Sequence, residues 1–141
     1  MADDGSDFAR SMSIATSGLR AQAGRMRVIS ENIANADSTS PTAGGNPYRR
    51  KVPTFSSTLD RTLDAKVVTL GKVRTDQSEF RVKHEPSNPA ADAAGNVKYP
   101  NVNPLVEMTD MREAQRSYEA NLNIISATRR MIQRTLDILK A

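Results

Sequence analysis

Apolar and small side chains recur near the start of the chain at Phe8, Met12, Ala15, Leu19, Met26, Ile29 and Ile33. The steps between them are three or four, interrupted only where the polar Gln22 takes a place in the stripe. This heptad-type pattern predicts an amphipathic helix from about Asp7 to Asn35, with Ala21, Ala23, Ile14 and Val28 widening its apolar face. Ser6 or Asp7 is placed to cap it, and the run Asn35-Ala36-Asp37-Ser38-Thr39-Ser40-Pro41 to end it. Gly18 and Gly24 each weaken it by up to about 1 kcal/mol relative to Ala, so packing must hold it firm.

A second periodic stretch runs from about Leu105 to Leu139. Met108, Met111, Tyr118, Leu122, Ile125, Ile132, Leu136 and Leu139 keep steps of three, four or seven. Gln115 and Arg129 stand where the steps of seven skip a position, and Ile124, Met131 and Ile138 form an adjacent row. Two apolar rows on one helix predict more than one partner for it. At about 1.5 Å per residue this helix reaches roughly 50 Å and the first roughly 40 Å.

Between the two lies a different text. Residues 36–104 hold all seven prolines and most of the glycines. Val67–Leu70 and Phe80–His84 read as short strands, Thr75–Ser78 as a turn, and residues 85–104 as an extended or loop segment with few apolar anchors. The predicted fold is mainly α. Residues 7–35 and 105–140 form a terminal helical domain packed as an antiparallel coiled-coil-like layer, and residues 36–104 a small β-rich or irregular middle region. Pro100-Asn101-Val102-Asn103-Pro104 sets the angle at which the last helix starts, because proline fixes backbone geometry.

Composition sharpens this picture. With 38% hydrophobic residues, 4% aromatics and no Trp in 141 residues, large side chains for a closed core are scarce. Much of the apolar surface is therefore expected to be buried against other chains. The net charge of +4 is scattered; the tightest basic cluster is Arg49-Arg50-Lys51. A basic helical nucleic-acid-binding protein is the alternative reading, but it calls for a dense basic stripe with stacking aromatics, which the sequence lacks. Arg129, Arg130 and Arg134 are placed either to pair with acids of neighbours or to face solvent. With no cysteine, disulfides, thiol catalysis and Cys-based zinc sites are excluded. No run is long and apolar enough to span a membrane, and the acidic start Met1–Asp7 is unlike a cleavable leader.

Chemistry finds no foothold. His84, the only histidine, has a Glu beside it but no nucleophile or second His in a working spacing. Asp3, Asp4 and Asp7 lack the ligand alternation and terminal Glu of a calcium loop. Gly44-Gly45-Asn46 lacks the Lys-Ser/Thr of a phosphate loop. No enzyme, no cofactor, no metal and no small-molecule substrate are expected.

Ser17-Gly18-Leu19-Arg20-Ala21-Gln22, Arg25-Met26 and Ser30-Glu31-Asn32-Ile33-Ala34-Asn35-Ala36-Asp37-Ser38-Thr39 resemble the N-terminal signature of flagellar rod and hook proteins. Asn46–Lys51, Glu85–Asp92, Gly95–Asn103, Glu107-Met108 and Ala114–Asn121 narrow the resemblance to proximal-rod members of that family. It covers Phe8 to Leu139, with Asn96 standing where the family usually has an aromatic. The short middle region disfavours distal-rod and hook subunits. The resemblance implies a structural subunit of the basal-body proximal rod, needed for motility and spanning the periplasm. It implies export by the flagellar type III apparatus without a cleaved leader. Implied partners are other rod proteins, copies of itself, and the membrane-ring and export-gate adaptor proteins. It also points to an assembly interface along Leu19, Met26, Ile29, Asn32, Ile33 and Asn35 of the first helix and Tyr118, Asn121, Leu122, Ile125, Ile132 and Leu136 of the last. For Asn32 and Asn35, capping of the helix end is the favoured role, with amide contacts to an adjacent subunit beside it.

Overall fold

A computed structural model describes residues 4–141, the side chain of Asp4 excepted. Helix α1 spans Asp4–Ala34 and helix α2 Pro104–Lys140. Six short strands lie between them: β1 (Lys51–Val52), β2 (Phe55–Asp60), β3 (Ala65–Leu70), β4 (Arg74–Thr75), β5 (Arg81–His84) and β6 (Asn96–Tyr99). They form three antiparallel pairs, β1 with β4, β2 with β3 and β5 with β6. The two long helices and the small antiparallel-strand region match the mainly α expectation.

Several local expectations change. Helix α1 begins at Asp4, so Ser6 and Asp7 lie inside its first turn instead of capping it. Of the acidic trio weighed as calcium ligands, Asp3 falls outside the described residues. The turn expected at Thr75–Ser78 starts a residue later, because Thr75 still belongs to β4; the Ser78 N–H donates to Asp76 Oδ1 at 2.9 Å. Strands β1, β2, β4 and β6 went unpredicted. At the start of α2 the Leu105 N–H donates to Asn103 Oδ1 at 3.1 Å, so Asn103 is the N-cap and Pro104 takes the first helical position.

The chain divides into two compact units. The first takes α1 up to Met26, residues 54–71 with β2 and β3, and α2 from Glu113 onward. Its buried apolar residues are Ala15, Ala21, Ala65 and Ala114, all alanines. In this unit the β2–β3 ribbon is tied to α1 at spaced points. Arg10 Nε donates to the Leu63 carbonyl at 2.8 Å, the Val68 N–H donates to Ser17 Oγ at 3.1 Å, and a Cβ on Gly24 would lie 2.7 Å from Leu70 Cδ2.

The second unit comprises residues 27–53 and 72–112. It holds larger buried side chains: Val28, Ile29, Val97, Tyr99 and Val102. The segment 85–104, expected to lack apolar anchors, instead supplies this core through Ala90, Val97 and Tyr99. Gly95, at φ +79°, turns the chain into β6 where an L side chain would be strained. His84 ends β5, its Nδ1 3.3 Å from Asn96 Oδ1. No helix among the described residues is long and apolar enough to cross a membrane.

Candidate assembly surface

The second unit is organised around Asn32 and Glu107, which are 0% and 1% exposed. Asn32 sits near the end of α1, yet its amide serves no helix-end carbonyl. Nδ2 donates to the Lys51 carbonyl at 2.8 Å and to Glu107 Oε2 at 3.1 Å. Oδ1 accepts from the Tyr48 hydroxyl at 2.8 Å and the Lys51 N–H at 2.9 Å. The favoured capping role therefore fails for Asn32. Its four bonds saturate the amide and bracket the chain around β1 to both helices. Asn35 does serve the helix end, donating to the Glu31 carbonyl at 2.8 Å.

Glu107 completes the bracket. Its Oε1 accepts from Arg50 Nε at 2.5 Å, and Arg50 also lies 3.7 Å from Asp76 and 3.8 Å from Asp110. Burial alone would loosen the Arg50 proton; the hydrogen bond and charge of Glu107, with Asp76 and Asp110, outweigh it and raise the Arg50 pKa. Lys51 Nζ is paired with Glu31. Asn101 ties in the loop after β4, donating to the Asp76 carbonyl at 3.1 Å and accepting from the Arg50 N–H at 2.8 Å.

These environments give the unit a pH profile. Asp76 is held below the usual carboxylate range, chiefly by the backbone N–H and hydroxyl of Ser78 and then by Arg50. Glu85 is lowered by the Asn88 amide and then the Tyr99 hydroxyl. Tyr48 is pushed up to about 12, first by burial and then by Glu31 and Glu107. A depressed acid stabilises above its unfolded pKa and loses that contribution as pH falls through the folded value. A raised phenol stabilises below its unfolded pKa and loses that contribution as pH climbs towards its folded value. Stability is therefore expected to be flat from about pH 5 to 9 and to fall on both sides. Urea midpoints across pH 3–11 check this, with Asp76→Asn flattening the acid side; a chain that gains stability on acidification to pH 3 contradicts it.

The first unit offers chemistry of another kind. Ile14, Phe55, Leu59, Val68, Leu122, Ile124, Met131, Leu136, Ile138 and Leu139 are exposed, and Leu139 reaches 77%. Of the residues expected at an interface, Leu19, Met26, Tyr118, Asn121, Ile125 and Ile132 are half-buried here, while Leu122 and Leu136 are bare. Asn121 packs on Gly18, where a Cβ would lie 2.9 Å from its amide nitrogen. Gln22, the polar break in the α1 stripe, keeps Oε1 buried without a partner among the described residues. Ile29, Asn32, Ile33 and Asn35 belong to the second unit, where Ile29 and Asn32 are buried within the chain and Ile33 and Asn35 half-buried. Sequence reasoning assigned no role to Glu107 or Tyr48, took Arg50 and Lys51 only as part of a basic cluster and Asn101 only as part of the segment that sets the start of the last helix, although all five stand in the motifs that carried the resemblance. A charged residue in an otherwise amphipathic first turn reads as solvated, so nothing local marked Glu107 as buried.

An alanine core beneath bare rows of large apolar side chains defines a helical protein that completes its packing against other chains. Residues 12–40 match a family model described as "Flagella basal body rod protein", and residues 93–138 one described as "Flagellar basal body rod FlgEFG protein C-terminal". The chain is 53% identical to "Flagellar basal-body rod protein FlgC" of Agrobacterium fabrum, covering 91% of this chain and 92% of the relative. Its identity to the Bacillus subtilis protein of that name is 38%, covering 92% and 97%, and to that of Aquifex aeolicus 35%, covering 95% and 98%. The chain belongs to the FlgC family of flagellar basal-body rod proteins.

Proposed function

We propose that this chain is a structural subunit of the flagellar basal-body rod, in its proximal part. The carrying observation is the first unit's core of Ala15, Ala21, Ala65 and Ala114 beside its exposed large apolar side chains. A unit so built gains its missing hydrophobic burial only from neighbours, at about 1.5–3 kcal/mol for each large side chain covered. Its work is mechanical, and it is not an enzyme. The nucleic-acid-binding alternative has no support.

In this reading residues 7–35 and 105–140 act as the axial helical domain and residues 36–104 as its outer region. The two helices pack as an antiparallel coiled-coil-like layer that assembles helically with copies and other rod proteins around an export channel. Within the first unit, Gly18 lies against Asn121 and Arg25 Nη2 is 3.6 Å from Glu113; the partner number falls as the α1 number rises, which supports the antiparallel sense. Leu19, Met26, Ile33, Asn35, Tyr118, Asn121, Leu122, Ile125, Ile132 and Leu136 meet neighbours, while Ile29 and Asn32 brace the surface from inside. The chain reaches a rod spanning the periplasm through the flagellar export apparatus without a cleaved leader. It adjoins the membrane-ring and export-gate adaptor proteins.

Cells lacking this chain are expected to be non-motile and restored by its return. Their basal bodies, once restored, should contain it as judged by immunoblot. Motile cells without it, or purified basal bodies devoid of it, overturn the reading.

A further inference from the structure

In an antiparallel ladder, residues of the pairs that exchange no hydrogen bonds point their N–H and C=O away from the partner strand. The Val68 N–H leaves its ladder to donate to Ser17 Oγ, so Ser57 opposite it also points outward, and with it Phe55 and Leu59 along the free edge of β2. Asn96 turns outward in the same way, accepting from the Asp92 N–H and donating to Asp92 Oδ1, so His84 opposite it and Val82 point outward along the free edge of β5. Other strand edges are engaged. Lys51 of β1 gives its outward N–H and C=O to Asn32, Val68 of β3 its N–H to Ser17, the Thr75 carbonyl of β4 accepts from Gln77, and Asn96 of β6 is held by Asp92. No hydrogen bond among the described residues reaches the outward groups of β2 or β5. Two bare edges of this kind are templates for an added strand.

The two edges fit each other in one register. Set antiparallel with Leu59 opposite Val82, they bring Ser57 opposite His84 and Asp60 opposite Arg81. The outward pairs Leu59 with Val82 and Ser57 with His84 then each exchange both backbone hydrogen bonds. Leu59 and Val82, 53% and 59% exposed in the chain alone, cover one another on one face. On the other, Asp60, whose carboxylate meets only the Thr62 N–H, lies opposite Arg81 and diagonal to Lys83; Arg81 keeps Asp37 at 3.6 Å as well. A slip of two residues one way puts Val82 opposite Ser57 and Asp60 opposite Glu79, and the other way puts Val82 opposite Arg61. Inside the chain β2 pairs only with β3 and β5 only with β6, so the partner strand comes from another copy. Pairing of β5 with its own copy sets Lys83 opposite Lys83 or Arg81, like charges that repel. Pairing of β2 with its own copy closes a two-fold dimer and leaves β5 bare. Pairing of β2 with β5 is heterologous and continues from copy to copy, as a helical rod requires.

We infer that β5 of one copy adds to the free edge of β2 of the next, joining the two hairpins into one antiparallel sheet across the subunit boundary. The inference rests on the rod-subunit reading and gives the middle region an interface of its own.

The test uses the chain's lack of cysteine. Thr58 and Lys83 face each other in this register as a pair without hydrogen bonds, with Cα atoms about 4.5 Å apart, close enough for a disulfide. Thr58→Cys and Lys83→Cys are combined in one chain, and basal bodies are isolated and oxidised. A ladder of covalent dimers, trimers and longer species is expected. Ser56→Cys with Lys83→Cys, one slip away, should crosslink several-fold less. Ser57→Pro in the first background removes an outward N–H and no bond to β3, so it should lower the ladder yield several-fold while the urea midpoint of the isolated chain holds; Ser57→Thr should preserve the yield. A double variant present in basal bodies but uncrosslinked overturns the strand addition and leaves the rod reading intact. Monomers bridged within one chain overturn the pairing between copies, and dimers from Ser57→Cys alone show β2 meeting its own copy and overturn it too. Should the double variant not be incorporated, a photo-crosslinking residue at Leu59 decides: an adduct of twice the chain mass, joined through the peptide that holds Val82, supports the inference, and an adduct through any other segment or protein overturns it.

Discussion

Glu107→Ala is expected to lower the stability of the isolated chain by about 3 kcal/mol, the low end for breaking a buried ion pair. The low end applies because Arg50 retains Asp76 at 3.7 Å and Asp110 at 3.8 Å. The loss does not stop at one ion pair. The substitution also frees Asn32 Nδ2 from one of its two acceptors and leaves a cavity where the largest fully buried side chain stood. Asn32→Ala attacks the bracket from the other side. It strands the Tyr48 hydroxyl and the Lys51 N–H and carbonyl, and unmet groups cost about 1–3 kcal/mol each when water cannot reach them. The two sites touch, so their effects should not add; the double variant is expected to be about 1 kcal/mol or more milder than the sum. Urea unfolding of the single and double variants measures all three quantities. A loss below about 1 kcal/mol in Glu107→Ala would show that the bracket is ornamental and that Val97, Tyr99 and Val102 hold the unit by themselves.

The helices were legible because their apolar spacing is local. Phe8, Met12, Ala15 and Leu19 announce a face within a few turns, and α2 needs only Met108 to Leu139 to do so. Strand β3 was legible for the same reason, its Val67-Val68-Thr69-Leu70 being a β-branched run. Its partner β2, Phe-Ser-Ser-Thr-Leu-Asp, carries too few apolar residues to show an alternation, and pairing with β3 creates it. Strand β6 hid behind Gly95 in a segment dominated by Pro, Asn and Asp. Its Val97 and Tyr99 become core where Ala90 and Ala91 of the preceding loop pack with them. The polar bracket was the least legible feature. Asn32 finds its partners 16, 19 and 75 residues away, and a side chain at a helix end that bonds so far off looks in one dimension like a cap. The motifs Asn46–Lys51 and Glu107-Met108 marked the family without revealing that they meet. The assembly surface shows the reverse: the sequence spelled out the apolar rows, and the fold added which of them the chain leaves uncovered.

Leu122→Asp and Leu136→Asp should abolish motility while leaving the isolated chain as stable as before. Both side chains lie in the proposed assembly row and are 42% and 46% exposed in the chain alone. A surface substitution of this kind changes folding stability by no more than about 0.5 kcal/mol. In an assembly the same positions are covered. Losing a buried leucine there costs about 2 kcal/mol, and burying a carboxylate in its place costs at least as much again. A penalty of about 4 kcal/mol weakens each contact roughly a thousandfold. Because every copy in a helical array carries the defect on the same surface, no neighbour compensates for it. The contrast with Glu107→Ala separates the two kinds of residue: that change should lower the urea midpoint and impair motility together, whereas these two should halt motility alone. Swimming-halo diameter and basal-body immunoblots read the assembly, and the urea midpoint of the purified variant reads the fold. Cells that swim normally with Leu122→Asp would remove Leu122 from the interface. A midpoint that drops in step with motility would place that leucine in the chain's own core instead of between chains.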